Sequence, residues 1–132
     1  MVDDELYLEL HRGTLTTQAW LKRANRRAEE ALVRAEALLF AGPGAIEADK
    51  AERARALLDK AWKLVLLNQF HDTLPGSSIA AVYEDARAQY GEVATIVRSL
   101  LDKGTRAWKP FFDASEDQEP VLVFNSTGFE QS

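Results

Sequence analysis

One histidine and one carboxylate stand side by side in this chain, at a point where a helical pattern is interrupted. His71 and Asp72 follow a long stretch of helical apolar periodicity, and Pro75 and Gly76 come just after them. Imidazole and carboxylate groups are good zinc ligands and acid/base groups. A helix end that is held within a bundle is a firm place to mount them. The pair is therefore the candidate chemical site, although two side chains do not make a complete one.

The sequence around the pair predicts how it is positioned. The inner stripe of the preceding helix advances in steps of three and four through Leu57, Ala61, Leu64, Asn68 and His71. Because this stripe turns polar at its end, we expect it to leave the core and face a cleft or a partner. Pro75 then stops the helix, since it lacks a backbone donor and disfavours helical geometry in the residue before it. Ser77 or Ser78 is predicted to cap the next helix.

A structural interpretation of the same residues stays open at this point. A histidine near a helix C-terminus is favoured in its charged form by the helix dipole and is common without any further role. The chain would then be a helical protein-interaction module with a purely structural His-Asp turn. The other histidine, His11, is a second candidate metal ligand. Its spacing from His71 matches no ligand pair, so we favour a polar position on an extended edge.

Three stretches have the period of an amphipathic helix. They run from about Thr17 to Phe40, from near Ile46 to the His-Asp pair, and from Ile79 to a C-terminal stop at Lys103-Gly104. The predicted apolar faces are Trp20, Ala24, Ala28, Ala31, Ala35 and Leu38 or Leu39; Ala54, Leu57, Leu58, Ala61, Trp62, Val65 and Leu66; and Ile79, Val82, Tyr83, Ala86, Tyr90, Val93, Val97 and Leu100 or Leu101. Short turns join them, so we predict an all-α, up-down-up three-helix bundle over residues 17–104.

The segments on either side of the bundle have other patterns. Residues 1–16 include a short alternating, extended piece, residues 105–119 resemble a linker, and residues 120–132 begin with a β-strand. Lys22 and Arg23 belong to a basic band on the first helix, which we interpret as a solvated or domain-contacting face. The aromatic residues near the linker are expected to pack on the bundle rather than form a sugar platform; they are Trp108, Phe111 and Phe112.

Composition limits the functions open to this chain. Its 132 residues, 46% of them apolar, can bury one modest core. The net charge of −5 argues against nucleic-acid binding, which needs a basic face. There is no cysteine, which leans towards the cytoplasm, and neither a basic leader nor an apolar run of about 20 residues is seen. We therefore expect a cytoplasmic protein with no nucleic-acid or membrane partner.

Three separate stretches carry a resemblance to a known family. The central one is Asn68-Gln69-Phe70-His71-Asp72, followed by Leu74-Pro75-Gly76-Ser77-Ser78-Ile79. The others are Glu5-Leu6-Tyr7-Leu8-Glu9-Leu10-His11-Arg12-Gly13-Thr14, with Thr17, Lys22-Arg23 and Asn25-Arg26-Arg27, and Val121-Leu122-Val123-Phe124-Asn125-Ser126. The central stretch resembles the helical-domain signature of the family 38 glycoside hydrolases, the α-mannosidases of the bacterial and cytosolic type. The other two are similar to the passage that leaves the catalytic barrel and to the first strand of the β-rich region.

The resemblance implies a retaining, metal-dependent glycosidase. In that family zinc is held by one His and two Asp from an N-terminal barrel and by one His from the helical domain. His71 matches the last of these ligands, and Asp72 matches the neighbouring acidic residue that contacts sugar hydroxyls. Thr73 departs from the family, which often has an aliphatic residue there. The implied partners are the barrel and the β domain of the same polypeptide, with an α-mannoside as substrate.

The length of the chain sets a further expectation. It has no room for the barrel, so residues 1–16 are interpreted as the tail of a missing barrel and residues 120–132 as the start of a missing β domain. A retaining glycosidase needs two carboxyl groups about 5 Å apart, which Asp72 alone cannot supply. The isolated chain is thus expected to be inactive and to bind zinc weakly or not at all. The surface around His71 would be open to the barrel or, alternatively, to a second copy of the chain.

Overall fold

The computed structural model describes residues 12–41 and 45–111, together with Val123 and Asn125. Within this part of the chain the regular structure is helical: α1 (Ala19–Phe40), α2 (Ala48–Asn68), α3 (Ala80–Trp108) and a short 3-10 turn (Lys109–Phe111). Each long helix packs against the other two. The predicted all-α three-helix bundle is confirmed. The predicted extended piece before Arg12 and, except for Val123, the predicted C-terminal strand lie outside the described residues.

The buried face of α1 overlaps the predicted one but is not identical to it. Both include Ala28, Ala35, Leu38 and Leu39. Leu21 and Leu32 are fully buried, whereas Trp20 and Ala31 are only partly buried. The sequence offers two adjacent apolar rows on this helix, and the row with the two leucines removes more apolar area from water. That row contains Asn25, whose amide made it look polar in the sequence. The full buried set of α1 is Leu21, Asn25, Ala28, Leu32, Ala35, Leu38 and Leu39.

The apolar faces of α2 and α3 agree better with the prediction, with errors at their margins. Leu66 and Ile79, both expected in the core, are 59% and 74% exposed. Ala51 and Ile96 are buried and were not expected to be. The core of these two helices is Ala51, Ala54, Leu58, Ala61 and Val65 on α2 and Tyr83, Ala86, Tyr90, Val93, Ile96, Val97 and Leu100 on α3.

The third helix continues beyond its predicted stop. Gly104 lies inside α3 and is buried. A Cβ atom at this position would come within 2.8 Å of Leu38 Cδ2, so a larger residue would not fit. The glycine therefore permits a close approach of α1 and α3 rather than ending the helix. Trp108 ends α3, and its indole Nε1 donates a hydrogen bond of 2.8 Å to the carbonyl oxygen of Leu38. Residues 105–108 are helical, although the sequence placed them in the linker.

The other aromatic residues of the predicted linker are Phe111 and Phe112. The ring of Phe111, which is 53% exposed, lies 6.4 Å from that of Trp108, and Phe112 lies outside the described residues.

No helix in the described ranges carries an apolar stretch long enough to cross a membrane.

Candidate functional site

The His-Asp pair lies in a turn that follows α2. The helix ends at Asn68, and residues 69–76 form consecutive turns. The prediction that His71 continues the inner stripe of the helix is therefore wrong. Asn68, which is 3% exposed, is the last residue of that stripe. The sequence placed the helix end by Pro75 alone, whereas tighter main-chain hydrogen bonds already begin at Gln69, whose N–H donates to Leu66 O at 3.1 Å.

His71 and Asp72 both point into solvent. Their side chains are 74% and 58% exposed, and His71 Nε2 lies 3.3 Å from Asp72 Oδ2. The ring of Phe70 flanks the imidazole, with 4.1 Å between the ring centroids. The turn thus presents an imidazole and a carboxylate side by side on the surface, where a ligand or another domain can reach both.

A layer of polar side chains anchors the first residue of this turn to the bundle. Gln69 Nε2 donates to Asn25 Oδ1 at 3.1 Å and to Glu29 Oε1 at 2.7 Å, both on α1. The Tyr90 hydroxyl of α3 donates to the same Asn25 oxygen at 3.0 Å. Burial, followed by the negative charge of Glu29, raises the pKa of Tyr90 to about 12. The phenol therefore stays neutral and keeps its proton for this bond near neutral pH.

Asn68 adds a connection between α2 and α3. Its amide Nδ2 donates to the carbonyl oxygen of Leu64 at 2.8 Å and to Gln89 Oε1 at 2.6 Å. A buried amide costs free energy unless its donors are satisfied, so these bonds explain why the stripe ends on asparagine. The amide at the polar end of the stripe is thus satisfied by partners within the bundle.

The last residues of the turn are attached to the start of α1 by Lys22. Its Nζ donates to the carbonyl oxygens of Thr17 at 2.6 Å, Leu74 at 2.8 Å and Pro75 at 3.4 Å. Burial lowers the pKa of Lys22. The sequence had placed this lysine in a basic band on a solvated or domain-contacting face, but its charge is directed at main-chain oxygens.

Gly76 packs against Thr17 in the segment that leads into α1. Its φ of +96° is in the left-handed region, and a Cβ atom there would lie 2.7 Å from Thr17 Cγ2 and 3.0 Å from Thr17 O. Both the backbone conformation and the lack of space therefore require glycine.

Ser77 and Ser78 hold Asp72 instead of capping α3. The hydroxyl of Ser78 donates to the Asp72 carbonyl oxygen at 2.7 Å, and that of Ser77 lies 3.4 Å from both this oxygen and Asp72 Oδ1. The N-cap of α3 is Ile79, without a side-chain hydrogen bond, so the predicted serine cap is wrong. The N–H of Ser78 instead donates to the Tyr83 hydroxyl at 2.8 Å.

Exposed apolar side chains stand close to the pair in the sequence, on either side of it. Leu66, Leu67, Phe70 and Ile79 are each more than half exposed. A shallow pocket of about 200 Å³ beside them is lined by Leu67, Asn68, Phe70, Thr73, Val82, Asp85 and Gln89. Thr73, the departure from the family pattern, is buried at 7% exposure. Clusters of exposed apolar groups mark interaction surfaces more often than isolated ones do.

The donor set fits one part of a zinc site. His71 and Asp72 supply two ligands, whereas zinc in proteins normally takes three or four. Nowhere in the described ranges do three or more His, Asp or Glu side chains gather around one point, and His11 lies outside those ranges. An outward-facing imidazole next to a carboxylate suits a ligand contributed to a site shared with another part of a protein.

Comparison with known proteins places this sequence in a family. The model of the α-mannosidase middle domain matches residues 9–107. Alpha-mannosidase G of Dictyostelium discoideum is 43% identical over 97% of this chain and 13% of its own length. Alpha-mannosidase 2C1 of Mus musculus and the Alpha-mannosidase of Saccharomyces cerevisiae are 40% and 39% identical over 78% and 75% of this chain. The chain spans about a tenth of the length of the curated relatives it matches. The resemblance stated from the sequence is confirmed, and the chain belongs to the family 38 α-mannosidases, corresponding to their middle domain.

Proposed function

We propose that this chain acts as the middle domain of a retaining, zinc-dependent α-mannosidase of the cytoplasm. His71 supplies one zinc ligand, and Asp72 accepts hydrogen bonds from hydroxyl groups of the bound sugar. The observation that carries the proposal is the exposed His71–Asp72 pair, presented by a turn that is bonded to the bundle at both of its ends. The names of the relatives support the substrate class.

The two side chains have complementary tasks in this proposal. His71 in its neutral form offers a nitrogen lone pair to the metal. Asp72 has two acceptor oxygens, which suit the hydroxyl donors of a sugar. Bound zinc would supply a positive charge that orients the sugar and offsets negative charge on its oxygens. The family resemblance implies that the remaining ligands, the nucleophile and the acid/base carboxyl group come from the barrel. This agrees with the need for two carboxyl groups, which His71 and Asp72 do not supply.

The apolar surface around the pair is the proposed contact with that barrel. Leu66, Leu67, Phe70 and Ile79 would be covered together with His71 when the two domains meet. Covering this surface removes apolar area from water and would hold the imidazole where the other ligands converge. A second copy of this chain is the competing occupant. Light scattering on the purified chain separates the two, because a monomer leaves the surface available to a barrel.

A domain exchange tests the proposed function. The matching segment of Alpha-mannosidase G is replaced by this chain, which is 43% identical to it, and hydrolysis of an aryl α-mannoside is measured. In this chimera we expect His71→Ala to lower kcat by more than about a hundredfold, because the zinc ion of the active site loses one of its protein ligands. Asp72→Asn should act mainly on KM. Glu84→Ala, an exposed change on α3, is the control that should leave both constants unchanged. Near-normal turnover of the His71→Ala chimera would contradict the proposal.

A further inference from the structure

The turn that carries His71 is held at both ends by side chains outside the candidate site. Gln69 bonds its first residue to Asn25 and Glu29 of α1. Lys22 bonds its later residues, Leu74 and Pro75, to the segment that leads into α1. His71 and Asp72 lie between these two attachment points, where they are exposed and have few bonds of their own to the bundle.

We infer that Lys22 and Gln69 are positioning residues that fix the direction of the His71 imidazole relative to the bundle. The inference rests on the proposed function, because the direction of His71 matters for a metal ligand. Neither side chain touches the metal or the sugar in this account. Each acts through the main chain of the turn.

The chemistry of Lys22 suits this task. An ammonium group has three N–H donors, and Lys22 directs them at three main-chain carbonyl oxygens. One belongs to Thr17, and the other two belong to Leu74 and Pro75, which are 52 and 53 residues from Lys22 in sequence. Hydrogen bonds from a charged donor are stronger than neutral ones. Gly76 adds close packing against Thr17, so the turn can shift only if both contacts give way.

Two variants and a matched control test the inference in the isolated chain. Lys22→Met keeps the apolar stem of the side chain and removes its donors, and Gln69→Met does the same at the other end of the turn. Arg23→Met is the control, because Arg23 is the exposed neighbour of Lys22 on α1. Lys22→Arg is the conservative variant. It keeps a positive charge and N–H donors, so the turn should behave much as it does in the wild type. Circular dichroism shows whether each variant folds. If Lys22→Met or Gln69→Met does not fold, the other variant tests the inference.

Amide hydrogen exchange and the His71 ring resonance provide the readout. The N–H groups of Leu74 and Gly76 bond to the carbonyl oxygens of Phe70 and Thr73, both at 3.1 Å. We expect Lys22→Met to speed their exchange by at least about tenfold, since a charge-assisted bond is lost locally. Because the Phe70 ring lies 4.1 Å from the His71 ring, we expect it to shift the His71 ring resonance, and in Lys22→Met this resonance should move towards its value in an unstructured peptide. Unchanged turn amides and ring resonance in both variants would overturn the inference, as would equal acceleration at the core residue Val93.

Zinc binding by the Alpha-mannosidase G chimera adds a second readout. We expect Lys22→Met to weaken zinc binding about tenfold, the usual cost of removing a group that orients a metal ligand, and Lys22→Arg to restore it. If His71→Ala leaves zinc affinity unchanged, the proposed function fails, and the exchange data still judge the positioning role. If His71→Ala weakens zinc binding while neither Lys22→Met nor Gln69→Met does, the inference fails and the proposed function stands.

Discussion

Tyr90 is the residue that ties the layer beneath the His71 turn to α3. Its hydroxyl donates to Asn25 Oδ1, the same atom that accepts from Gln69. A neutral phenol can make this bond, whereas a phenolate has no proton to give. The burial that protects the bond also makes ionisation of Tyr90 costly in the folded state.

This arrangement predicts a loss of stability at high pH. The pKa of Tyr90 is raised from 10.0 to about 12 in the folded chain, so the folded state keeps a proton that the unfolded state has released. The stabilisation is fully present below about pH 10 and is lost as the pH rises towards about 12. Urea unfolding from about pH 8 to about pH 11 should therefore show a steeper fall in the free energy of unfolding for the wild type than for Tyr90→Phe. Parallel pH profiles would contradict the assignment.

At the level of single residues, the sequence predicted the candidate site residues but not the side chains that hold their turn in place. His71 and Asp72 were found because their types and their motif are visible locally. Lys22, Gln69 and Asn25 were missed as supports because their contacts join positions that are 44 to 53 residues apart. Lys22 gave a misleading indication, since it stands in a run of basic residues. All three residues stand in the stretches that carry the family resemblance, and this was the indication in the sequence that they had a role.

The helices show what hydrophobic periodicity alone can predict. Three stripes and two turns predicted three helices, because each stripe is long and strongly amphipathic. The phase of α1 was predicted less well, since Ala24 and Ala31 form an apolar row beside the row of Leu21 and Leu32. Periodicity cannot choose between two neighbouring rows, and the choice depends on which one meets α2 and α3.

Two adjacent substitutions test the observed phase of α1. Leu32 is fully buried and Val33 is 52% exposed. Leu32→Ala should lower the free energy of unfolding by about 2–5 kcal/mol, through lost burial and the cavity left behind. Val33→Ala should change it by less than about 0.5 kcal/mol, as surface substitutions usually do. Chemical denaturation of both variants gives the comparison, and equal effects would show that the helix is rotated from the orientation described.

The end of α3 illustrates a second limit at the element scale. A glycine after a lysine, as at Lys103-Gly104, is typical of a helix C-terminus. Here the missing Cβ serves the crossing with Leu38, and the helix runs on to Trp108. The two uses of glycine look the same in sequence and differ only in what lies opposite.

At the level of the whole molecule, three packed helices hold the turn that carries His71 and Asp72. The helices supply the core and the 69–76 turn exposes His71 and Asp72. In the proposed function, the exposed apolar residues near this turn contact another domain. The chain alone is therefore expected to hydrolyse no aryl α-mannoside, since two carboxyl groups about 5 Å apart are needed. Measurable hydrolysis that His71→Ala abolishes would mean that the chain holds a complete site.

The zinc dissociation constant of the Alpha-mannosidase G chimera, measured by chelator competition with His71 intact and with His71→Ala, tests whether this domain contributes a metal ligand. Loss of a ligand should exceed the ten- to hundredfold cost of losing a group that only orients one, so we predict a rise of more than about a hundredfold. Glu84→Ala, measured alongside, should leave the constant unchanged. Equal zinc affinity with and without the imidazole would contradict the claim that this domain contributes a metal ligand.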